Sequence, residues 1–302
     1  MYDVIIIGSG PAGCTASIYL ARNSLKTLLV AGYKSGGQLM LTTYVENFPG
    51  FKSILGPELM NRMKEQVISL GVEVIEKDAT SVDFSLYPFK VFVDDKVFEG
   101  KRILIATGAR PKLLNVDGEK ELIGRGVSTC ATCDAPFFKD KYVLVIGGGD
   151  TAMEYALTLA KFSREVTIVH RREEFKASKI MLERVKANEK IKFKVPFLVE
   201  KIIGKEKVEA VLLKNLKSEE KEMLRCDGVF LAIGHVPNTE IFKGILEMDE
   251  KGYIKVDSRF QTSIKGVFAA GDCVDSKYRQ AITAAGDGCK AALEIVHELS
   301  EL

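Results

Sequence analysis

Residues 2–32 read YDVIIIGSGPAGCTASIYLARNSLKTLLVAG, and this stretch decides the fold class. It contains a short β-branched strand, a turn with Gly8, Gly10 and Gly13, a helical segment and a second strand. GxGxxG between a strand and a helix is typical of a dinucleotide-binding fold, in which the first glycine permits the tight turn. The second lets the backbone approach a pyrophosphate, and the third lets the helix pack closely on the strand. A glycine-rich turn without a ligand is the less favoured alternative.

The same pattern recurs in the second half of the chain. Residues 141–172 read KYVLVIGGGDTAMEYALTLAKFSREVTIVHRR, with Gly147, Gly149 and Ala152 in the order GxGxxA. Each unit also closes in a similar way, with RILIATGARP around Gly108 and GVFLAIGHVPN around Gly234. Two such folds in one chain imply two different nucleotides. The sequence therefore predicts an α/β protein with two Rossmann-like domains.

The remaining segments indicate how the two domains share the chain. Residues 90–101 and 208–230 alternate as antiparallel hairpins, one in each domain. The tail, residues 239–302, contains a strand-like segment, GVFAAGDC, and a final helix. We expect this tail to complete the first domain. This predicts a first domain made of residues 1–111 and 239–302, with residues 112–238 inserted as the second. The two crossings, at ARPKLL and GHVPNTE, can act as a hinge.

The charged side chains that follow the second strand of the second domain indicate which nucleotide this domain binds. An NAD site usually has an acid about 20 residues past the glycines, which bonds the ribose 2′-hydroxyl. Here that position holds His170, Arg171 and Arg172, with Lys176 one helical turn further. Cations in this place suit a 2′-phosphate, so the second domain is predicted to bind NADPH. The alternative is a surface basic cluster that the glutamates at 173–174 partly balance.

The first domain lacks the acid expected of an NAD site. Its second strand is followed by Ala31, so the ribose contact must come from elsewhere. By elimination this domain is assigned FAD. Asp272 supports the assignment, because it follows a strand of the tail where a carboxylate could bond the ribityl chain.

Composition limits the possible function classes. The chain has 302 residues, 46% hydrophobic and 28% charged, which suits about two domains at roughly 150 residues each. A net charge of +2 gives no basic footprint for nucleic acid or an anionic membrane. No apolar run approaches the roughly 18 residues of a membrane span, and the N-terminus begins directly with a strand. We expect a cytoplasmic protein.

Two of the six cysteines form a CxxC pair, Cys130 and Cys133, just ahead of the second glycine loop. A zinc site needs about four ligands, usually two such pairs, so no metal is predicted. A permanent structural disulfide is disfavoured in a reducing cytosol, which leaves a redox couple. The other cysteines lie on separate elements and are expected to be small buried side chains: Cys14, Cys226, Cys273 and Cys289.

With these motifs, the chain resembles the low-molecular-weight thioredoxin reductases over nearly its whole length. The resemblance is carried by GSGPAG (8–13), GGQL (36–39), ENFPG (46–50), ATGA (106–109), CATCD (130–134), GGGDTA (147–152), HRRxxF (170–175) and GDCxDxxYRQAxTAAGxGCxAA (271–292). The acid missing at Ala31 is a departure, and Lys176 stands where the family often has arginine.

The resemblance implies the residues of both cofactor sites. For FAD they are Gly8, Ser9, Gly10, Pro11, Ala12, Gly13, Gly37, Gln38, Asn47, Thr107, Gly108, Asp272, Arg279, Gln280 and Ala281. For NADPH they are Gly147, Gly149, Asp150, Thr151, Ala152, His170, Arg171, Arg172, Lys176 and Gly234.

The resemblance also implies roles for the cysteines: Cys133 faces the flavin, and Cys130 attacks the disulfide of thioredoxin as a thiolate. A leaving thiolate needs a proton, and no histidine flanks the pair, so Asp134 is the candidate acid if burial raises its pKa. It could also serve as a helix N-cap. Because the dithiol and the nicotinamide share one domain and must both reach one flavin, the domains are expected to rotate. The resemblance implies that rotation too, and a homodimer.

Other functions remain to be weighed against thioredoxin reduction. A glutaredoxin-like disulfide protein could be the acceptor with the same chemistry. A dithiol oxidase that passes electrons to oxygen would have no use for the basic cluster at 170–176, which weighs against it. A redox sensor without catalysis is disfavoured by the intact CxxC and the two nucleotide loops.

Overall fold

The computed structural model describes residues 1–42 and 44–301; Leu302, which ends the last predicted domain segment, lies outside the described residues. The chain divides into two compact units. The first unit comprises Met1–Arg110 and Val236–Leu302, and the second comprises Pro111–His235. In the part of the chain that the structure describes, no helix combines the length and apolarity needed to cross a membrane.

Both units contain strands and helices. The strands of the described residues are β1 Tyr2–Ile7, β2 Thr27–Val30, β3 Tyr44–Val45, β4 Ile54–Leu55, β5 Glu73–Ile75, β6 Ser81–Asp83, β7 Phe89–Val93, β8 Lys96–Ile105, β9 Ala109–Pro111, β10 Val127–Ser128, β11 Tyr142–Ile146, β12 Glu165–Val169, β13 Ile191–Lys194, β14 Phe197–Gly204, β15 Val208–Asn215, β16 Lys221–Arg225, β17 Gly228–Leu231, β18 His235–Pro237 and β19 Val267–Ala269. The α-helices are α1 Pro11–Arg22, α2 Gly56–Ser69, α3 Ala131–Asp134, α4 Asp150–Ala160, α5 Lys179–Lys186 and α6 Ala281–Ser300.

The first unit is built on one mixed sheet. Its strand order is β5-β2-β1-β8-β7-β6, with β19 paired to β8 as well. Strands β5, β2, β1, β8 and β19 run parallel to one another. Strand β7 pairs antiparallel with β8 on one side and with β6 on the other. The β7–β8 pair turns at Asp94 and Asp95, which confirms the predicted hairpin. Strand β19 and helix α6 belong to this unit, so the tail does return to it.

Both faces of this sheet are covered. Along β1, Val4 and Ile6 pack into one apolar cluster and Ile5 and Ile7 into another, because successive side chains of a strand point to opposite faces. Residues of α1, α2 and α6 complete the first cluster. A strand buried on both sides needs a continuous apolar run, and this explains the sequence VIII in β1.

The second unit has a parallel sheet and an antiparallel one. The parallel sheet has the order β10-β17-β11-β12-β13. The antiparallel sheet has the order β14-β15-β16, and its β15–β16 pair confirms the second predicted hairpin. Helix α4 packs its buried face, including Met153 and Leu159, into a cluster with β11 and β12.

The chain passes between the units in β9 and in β18, and these two short strands pair with each other. Next to them, the side-chain amide of Asn238 donates to the carbonyl oxygen of Thr107 at 2.9 Å. The Asn238 N–H donates to the Gly108 oxygen, also at 2.9 Å. The predicted fold class, two Rossmann-like domains with one inserted in the other, is confirmed.

Candidate active site

The first glycine loop connects β1 to α1. Gly8 has φ +110°, and a Cβ at Gly13 would lie 1.8 Å from the Gly8 carbonyl oxygen, so strand and helix approach too closely for side chains here. A Cβ at Gly10, in contrast, would meet no protein atom within 4 Å. Gly10 caps α1 without a side-chain hydrogen bond, and Pro11 and Ala12 begin the helix. The loop therefore leaves an open space at a helix N-terminus, where a pyrophosphate binds well.

A serine hydroxyl holds the next loop over this space. Ser9 Oγ donates to the Ala31 carbonyl oxygen at 2.7 Å and accepts the Gly36 N–H at 2.9 Å. Gly37 follows in a left-handed conformation, and a Cβ there would lie 3.5 Å from the Cα of Gly10. The segment after β2 thus folds across the first glycine loop, although Ala31 offers no carboxylate.

Two polar side chains lie at the carboxyl ends of neighbouring strands, Thr107 after β8 and Asp272 after β19. Thr107 Oγ1 is buried without a hydrogen-bond partner among the described residues. The pKa of Asp272 is raised to about 7, mainly by burial and then by the charge of Asp275, while Arg279 opposes the rise. A ligand with hydroxyl groups would satisfy both side chains, because it can donate to a carboxylate and bond an unpaired hydroxyl.

The remaining residues of the predicted flavin site come together from distant parts of the sequence. Asn47 Nδ2 donates to Gln280 Oε1 at 3.3 Å, and Gln280 caps α6, which Ala281 begins. Gln38 lies in the 3-10 turn Gly37–Leu41. The open space at Gly10, the unpaired Thr107 hydroxyl and the Asp272 carboxyl fit FAD, so the first unit has suitable residues for that cofactor.

The second glycine loop lies at the carboxyl edge of the parallel sheet of the second unit. Gly147 follows β11 and Gly234 follows the neighbouring β17, and both have positive φ. A Cβ at Gly149 would meet nothing within 4 Å. As at Gly10, this leaves open space at a helix N-terminus, here that of α4.

The His170 ring packs against the second glycine loop at Gly148. A Cβ at Gly148 would lie 2.5–2.6 Å from three atoms of the His170 ring, and the ring stacks on Phe175 at 5.3 Å. The Lys176 N–H donates to the Gly148 carbonyl oxygen at 2.8 Å, so the segment after β12 folds back around the ring. Burial, and then the charges of Arg171 and Arg172, lower the pKa of His170, which disfavours a positive charge on the imidazole.

The other basic residues of the segment are available for a phosphate. Arg171, Arg172 and Lys176 are exposed, and none of them forms an ion pair with another described residue. Glu173, one of the two glutamates that could balance these cations, pairs instead with Lys217 Nζ at 2.5 Å. Excess positive charge beside the glycine loop fits NADPH.

Three residues of the predicted coenzyme set lie in the first turn of α4. Asp150 Oδ1 accepts the Ser178 N–H at 2.7 Å and so holds the returning segment against the start of α4. Thr151 lies half-buried in the first turn of that helix, and Ala152 is fully buried.

The cysteine pair lies in the second unit, at the start of α3. Cys130 and Cys133 form a disulfide with their Cα atoms 5.4 Å apart, and both are half-buried. Cys130 caps the short helix, and its Sγ accepts the Cys133 N–H at 3.2 Å. A backbone N–H directed at a sulfur favours the thiolate once the disulfide opens. Next to the pair, Tyr155 of α4 donates its hydroxyl to the Thr129 carbonyl oxygen at 2.6 Å.

Asp134 follows Cys133 at the end of α3. Burial raises its pKa, and a hydrogen bond from Ser128 partly opposes the rise. A raised pKa is the condition that the acid role required of this carboxyl. In the N-cap alternative, Asp134 does occupy the N-cap position of the 3-10 turn Ala135–Phe138, but its side chain makes no capping hydrogen bond there.

The expectation for the four remaining cysteines is confirmed in three cases. Cys14, Cys226 and Cys273 are buried, and burial raises the pKa of each thiol. Cys289, on α6, is only half-buried. Its thiol lies within hydrogen-bond reach of the exposed Tyr19 hydroxyl.

Sequence reasoning missed two residues that shape these sites. Gly148 is required by the His170 ring, although only its neighbours belong to the GxGxxA pattern. Ser128 Oγ accepts the Cys130 N–H at 3.1 Å. The available signal was the position of Ser128, two residues before Cys130. The direction of its hydroxyl could not be predicted, because it depends on the placement of strand β10.

Comparisons with known proteins agree on one family. A family model described as pyridine nucleotide-disulphide oxidoreductase matches residues 2–288. The thioredoxin reductase of Mycolicibacterium smegmatis is 50% identical over 303 residues, covering 100% of this chain and 97% of that protein. The bifunctional thioredoxin reductase/thioredoxin of Mycobacterium leprae (strain TN) is 48% identical over 305 residues, covering 100% of this chain but 66% of that protein. The crystal structure of thioredoxin reductase from Streptococcus pyogenes MGAS5005 matches with a TM-score of 0.95 at 40% identity, covering 100% and 99% of the two chains.

Proposed function

The chain belongs to the pyridine nucleotide-disulphide oxidoreductase family and, within it, to the thioredoxin reductases, and we propose that Cys130 and Cys133 carry its electrons to thioredoxin. It is an oxidoreductase that depends on FAD and NADPH. The observation that carries the assignment of the cysteines is their disulfide, next to the helix that begins at the second glycine loop. When bound, FAD accepts a hydride from NADPH and passes two electrons to this disulfide.

The two cofactors bind to different units. In the first unit, Gly10 and the N-terminus of α1 hold the FAD pyrophosphate, while Thr107 and Asp272 bond its hydroxyl groups. In the second unit, Gly149 and the N-terminus of α4 hold the NADPH pyrophosphate. A 2′-phosphate binds to the exposed cations Arg171, Arg172 and Lys176.

The cysteines then reduce the acceptor in two exchange steps. The Cys130 thiolate attacks the acceptor disulfide, so that a mixed disulfide forms and one acceptor sulfur leaves as a thiolate. Cys133 next attacks the Cys130 sulfur, which restores the Cys130–Cys133 disulfide and releases the second acceptor sulfur. Two electrons have moved from the dithiol to the acceptor.

Asp134 carries the protons of this exchange. The acceptor gains two protons, and these are the two that Cys130 and Cys133 lose. Asp134 adjoins Cys133, and its raised pKa favours the protonated form, from which it can give a proton to a leaving thiolate.

One experiment tests the cysteine roles. The purified enzyme is reduced anaerobically with NADPH, and oxidised thioredoxin, an oxidised glutaredoxin-like protein or oxygen is then added. The flavin should bleach in wild type and in Cys130→Ser and Cys133→Ser, but only wild type should reduce thioredoxin over many turnovers. Failure of NADPH to bleach the flavin, or turnover in either variant, would refute the assignment. Faster reduction of the glutaredoxin-like protein would change the acceptor, and faster oxygen consumption would indicate a dithiol oxidase.

We also propose that catalysis requires rotation of one unit relative to the other about β9 and β18. Support comes from the need of both the dithiol and the nicotinamide, carried by the second unit, to reach one flavin carried by the first. A complete engineered cross-link between the units should stop steady-state reduction of thioredoxin. Undiminished turnover in the linked protein would remove the rotation from the mechanism.

The assembly and location of the protein are part of the same proposal. A cytoplasmic homodimer is supported by the resemblance to the low-molecular-weight thioredoxin reductases. Light scattering of the purified protein should give about twice the 33.3 kDa chain mass, and a monomer mass would contradict it.

A further inference from the structure

The hydrogen bonds at the disulfide are distributed unequally between its two sulfurs. Cys130 Sγ accepts the Cys133 N–H at 3.2 Å, and the hydroxyl oxygen Thr132 Oγ1 lies 3.3 Å from the same sulfur. A sulfur in a disulfide carries no hydrogen, so in the Thr132 contact the hydroxyl must be the donor. Both of these hydrogen bonds therefore end on Cys130 Sγ rather than on Cys133 Sγ.

The short helix α3 brings the Thr132 hydroxyl to this sulfur. Cys130 is the N-cap of α3 and has an extended backbone, with φ −140° and ψ 98°. An N-cap side chain lies over the first turn of its helix, next to the second and third helical residues. In α3 those two residues are Thr132 and Cys133. The helix has only four residues, so the two donors, and not a helix dipole, are what the sulfur meets.

Hydrogen bonds from β10 and α4 hold the residue that carries this sulfur. Ser128 Oγ, at the end of β10, accepts the Cys130 N–H at 3.1 Å. The Tyr155 hydroxyl of α4 donates to the Thr129 carbonyl oxygen at 2.6 Å. The backbone on the amino-terminal side of the disulfide is thus fixed by two side chains. Thr132, in contrast, is exposed, so its side chain can be changed without disturbing a packed core.

The titratable groups near Cys130 do not replace the Thr132 hydroxyl as a donor. They are Cys133 and Asp134 on α3 and Tyr155 on α4, and the 3-10 turn Ala135–Phe138 carries none. Burial raises the pKa of Asp134, which favours its neutral form and limits its repulsion of a nearby thiolate. The Tyr155 hydroxyl is bonded to the backbone. A thiolate at Cys130 is therefore stabilised by the two donors already described, because hydrogen bonds to a charged group are the stronger ones.

We propose that the Thr132 hydroxyl stabilises the thiolate of Cys130 and so selects Cys130, rather than Cys133, as the sulfur that attacks the acceptor disulfide. This inference rests on the proposed function, since it assigns a catalytic donor to the first exchange step of that mechanism. In the dithiol, Thr132 donates to the Cys130 thiolate and favours the ionised form that attacks. When the mixed disulfide forms, Cys130 Sγ loses its charge, and the hydrogen bond weakens before Cys133 attacks that sulfur. Thr132 keeps its own hydrogen throughout, so the two electrons and two protons of the exchange are unchanged.

Two substitutions separate the hydroxyl of Thr132 from the size of its side chain. Thr132→Val keeps the shape and removes the hydroxyl, whereas Thr132→Ser keeps the hydroxyl and is the matched control. Water partly replaces the lost donor at this exposed position, so the pKa of Cys130 should rise by about half a unit to one unit in Thr132→Val. At a pH below that pKa, the thiolate fraction and the alkylation rate should fall by about three- to tenfold.

The test measures alkylation of the cysteine pair by iodoacetamide across a pH series in the holoenzyme. The Cys133→Ser background leaves Cys130 as the one thiol of the pair, and the Cys130→Ser background does the same for Cys133. Mass spectrometry of the peptide that contains α3 identifies the alkylated residue. Circular dichroism and flavin content show that each variant is folded, and Thr132→Ala replaces Thr132→Val if the valine variant is not. Reduction of thioredoxin is measured separately in enzymes that keep both cysteines.

We expect the alkylation inflection of Cys130 to move to higher pH in Thr132→Val and to stay in place in Thr132→Ser, while that of Cys133 stays in place in both. The proposal is overturned if Thr132→Val leaves the Cys130 inflection in place, or slows alkylation equally at every pH. It is also overturned if Thr132→Ser moves the inflection as far as valine does, or if the Cys133 inflection moves by the same amount. A wild-type enzyme that fails to reduce thioredoxin refutes the proposed function instead, and alkylation of Cys130 still decides the role of the hydroxyl.

Discussion

Substitution by alanine should change the stability of the protein at one of two adjacent glycines of the second loop and not at the other. In Gly148→Ala the new methyl would lie 2.5–2.6 Å from three atoms of the His170 ring, which is backed by Phe175 and cannot retreat freely. Overpacking of this kind costs about 1–3 kcal/mol. In Gly149→Ala the methyl meets no protein atom within 4 Å, and φ of −102° suits any residue. We expect Gly148→Ala to lose stability and Gly149→Ala to keep it.

Coenzyme binding separates the pair further. The methyl of Gly149→Ala would occupy the space in which the NADPH pyrophosphate approaches the backbone. The hydrogen bonds from the backbone N–H groups of the loop to the charged pyrophosphate would therefore be weakened. Their loss costs about 1.5–3 kcal/mol, or roughly 10- to 100-fold in affinity. Thermal unfolding of the holoenzyme and calorimetric titration with NADP⁺ measure the two effects. Wild-type affinity in Gly149→Ala would refute the location of the pyrophosphate, and an unchanged unfolding midpoint in Gly148→Ala would refute the packing argument.

Three further predictions concern charged groups. Arg171→Ala combined with Arg172→Ala should raise the KM for NADPH by on the order of 100-fold and that for NADH little, because only NADPH carries the 2′-phosphate; equal effects in steady-state assays would contradict this. Asp134→Asn should slow thioredoxin reduction by about 100-fold or more at normal flavin content, since it removes the general acid; wild-type rates across the pH range would exclude that role. Asp272 has a pKa of about 7 in the fold against 3.8 as its ordinary value, so it binds its proton more tightly when folded, and the stability of the flavin-free protein should fall as pH rises through this window. Asp272→Asn should abolish that fall in thermal unfolding midpoints, and an unchanged slope would show that another group is responsible.

The elements of the fold could be predicted because their signals are local. The run VIII before Gly8 and the glycine spacing after it specify a buried strand and a close helix, and the Asp94–Asp95 turn specifies a hairpin. The return of the tail to the first unit was also predictable, since GVFAAGDC ends as the other strands of that sheet do.

The electrostatic details could not be predicted in the same way. His170 was grouped with the arginines on sequence position, but its charge is decided by packing between Gly148 and Phe175. Asp134 occupies the N-cap position of the turn that follows it, yet its side chain makes no capping hydrogen bond. Ser128 contacts the cysteine pair only because β10 ends where the Ser128 hydroxyl can accept the Cys130 N–H. Burial and hydrogen-bond partners are tertiary properties, so residue type and spacing leave them undetermined.

The pairing of β19 with β8 has a consequence for how the chain folds. These neighbours are separated in sequence by the whole second unit, so the first sheet cannot be finished until Pro111–His235 has been synthesised. Closing so large a loop is slow, because its entropy must be lost before the pairing contributes. On the ribosome the inserted unit can therefore acquire its core first, while the flavin half waits with an open sheet edge beside β8.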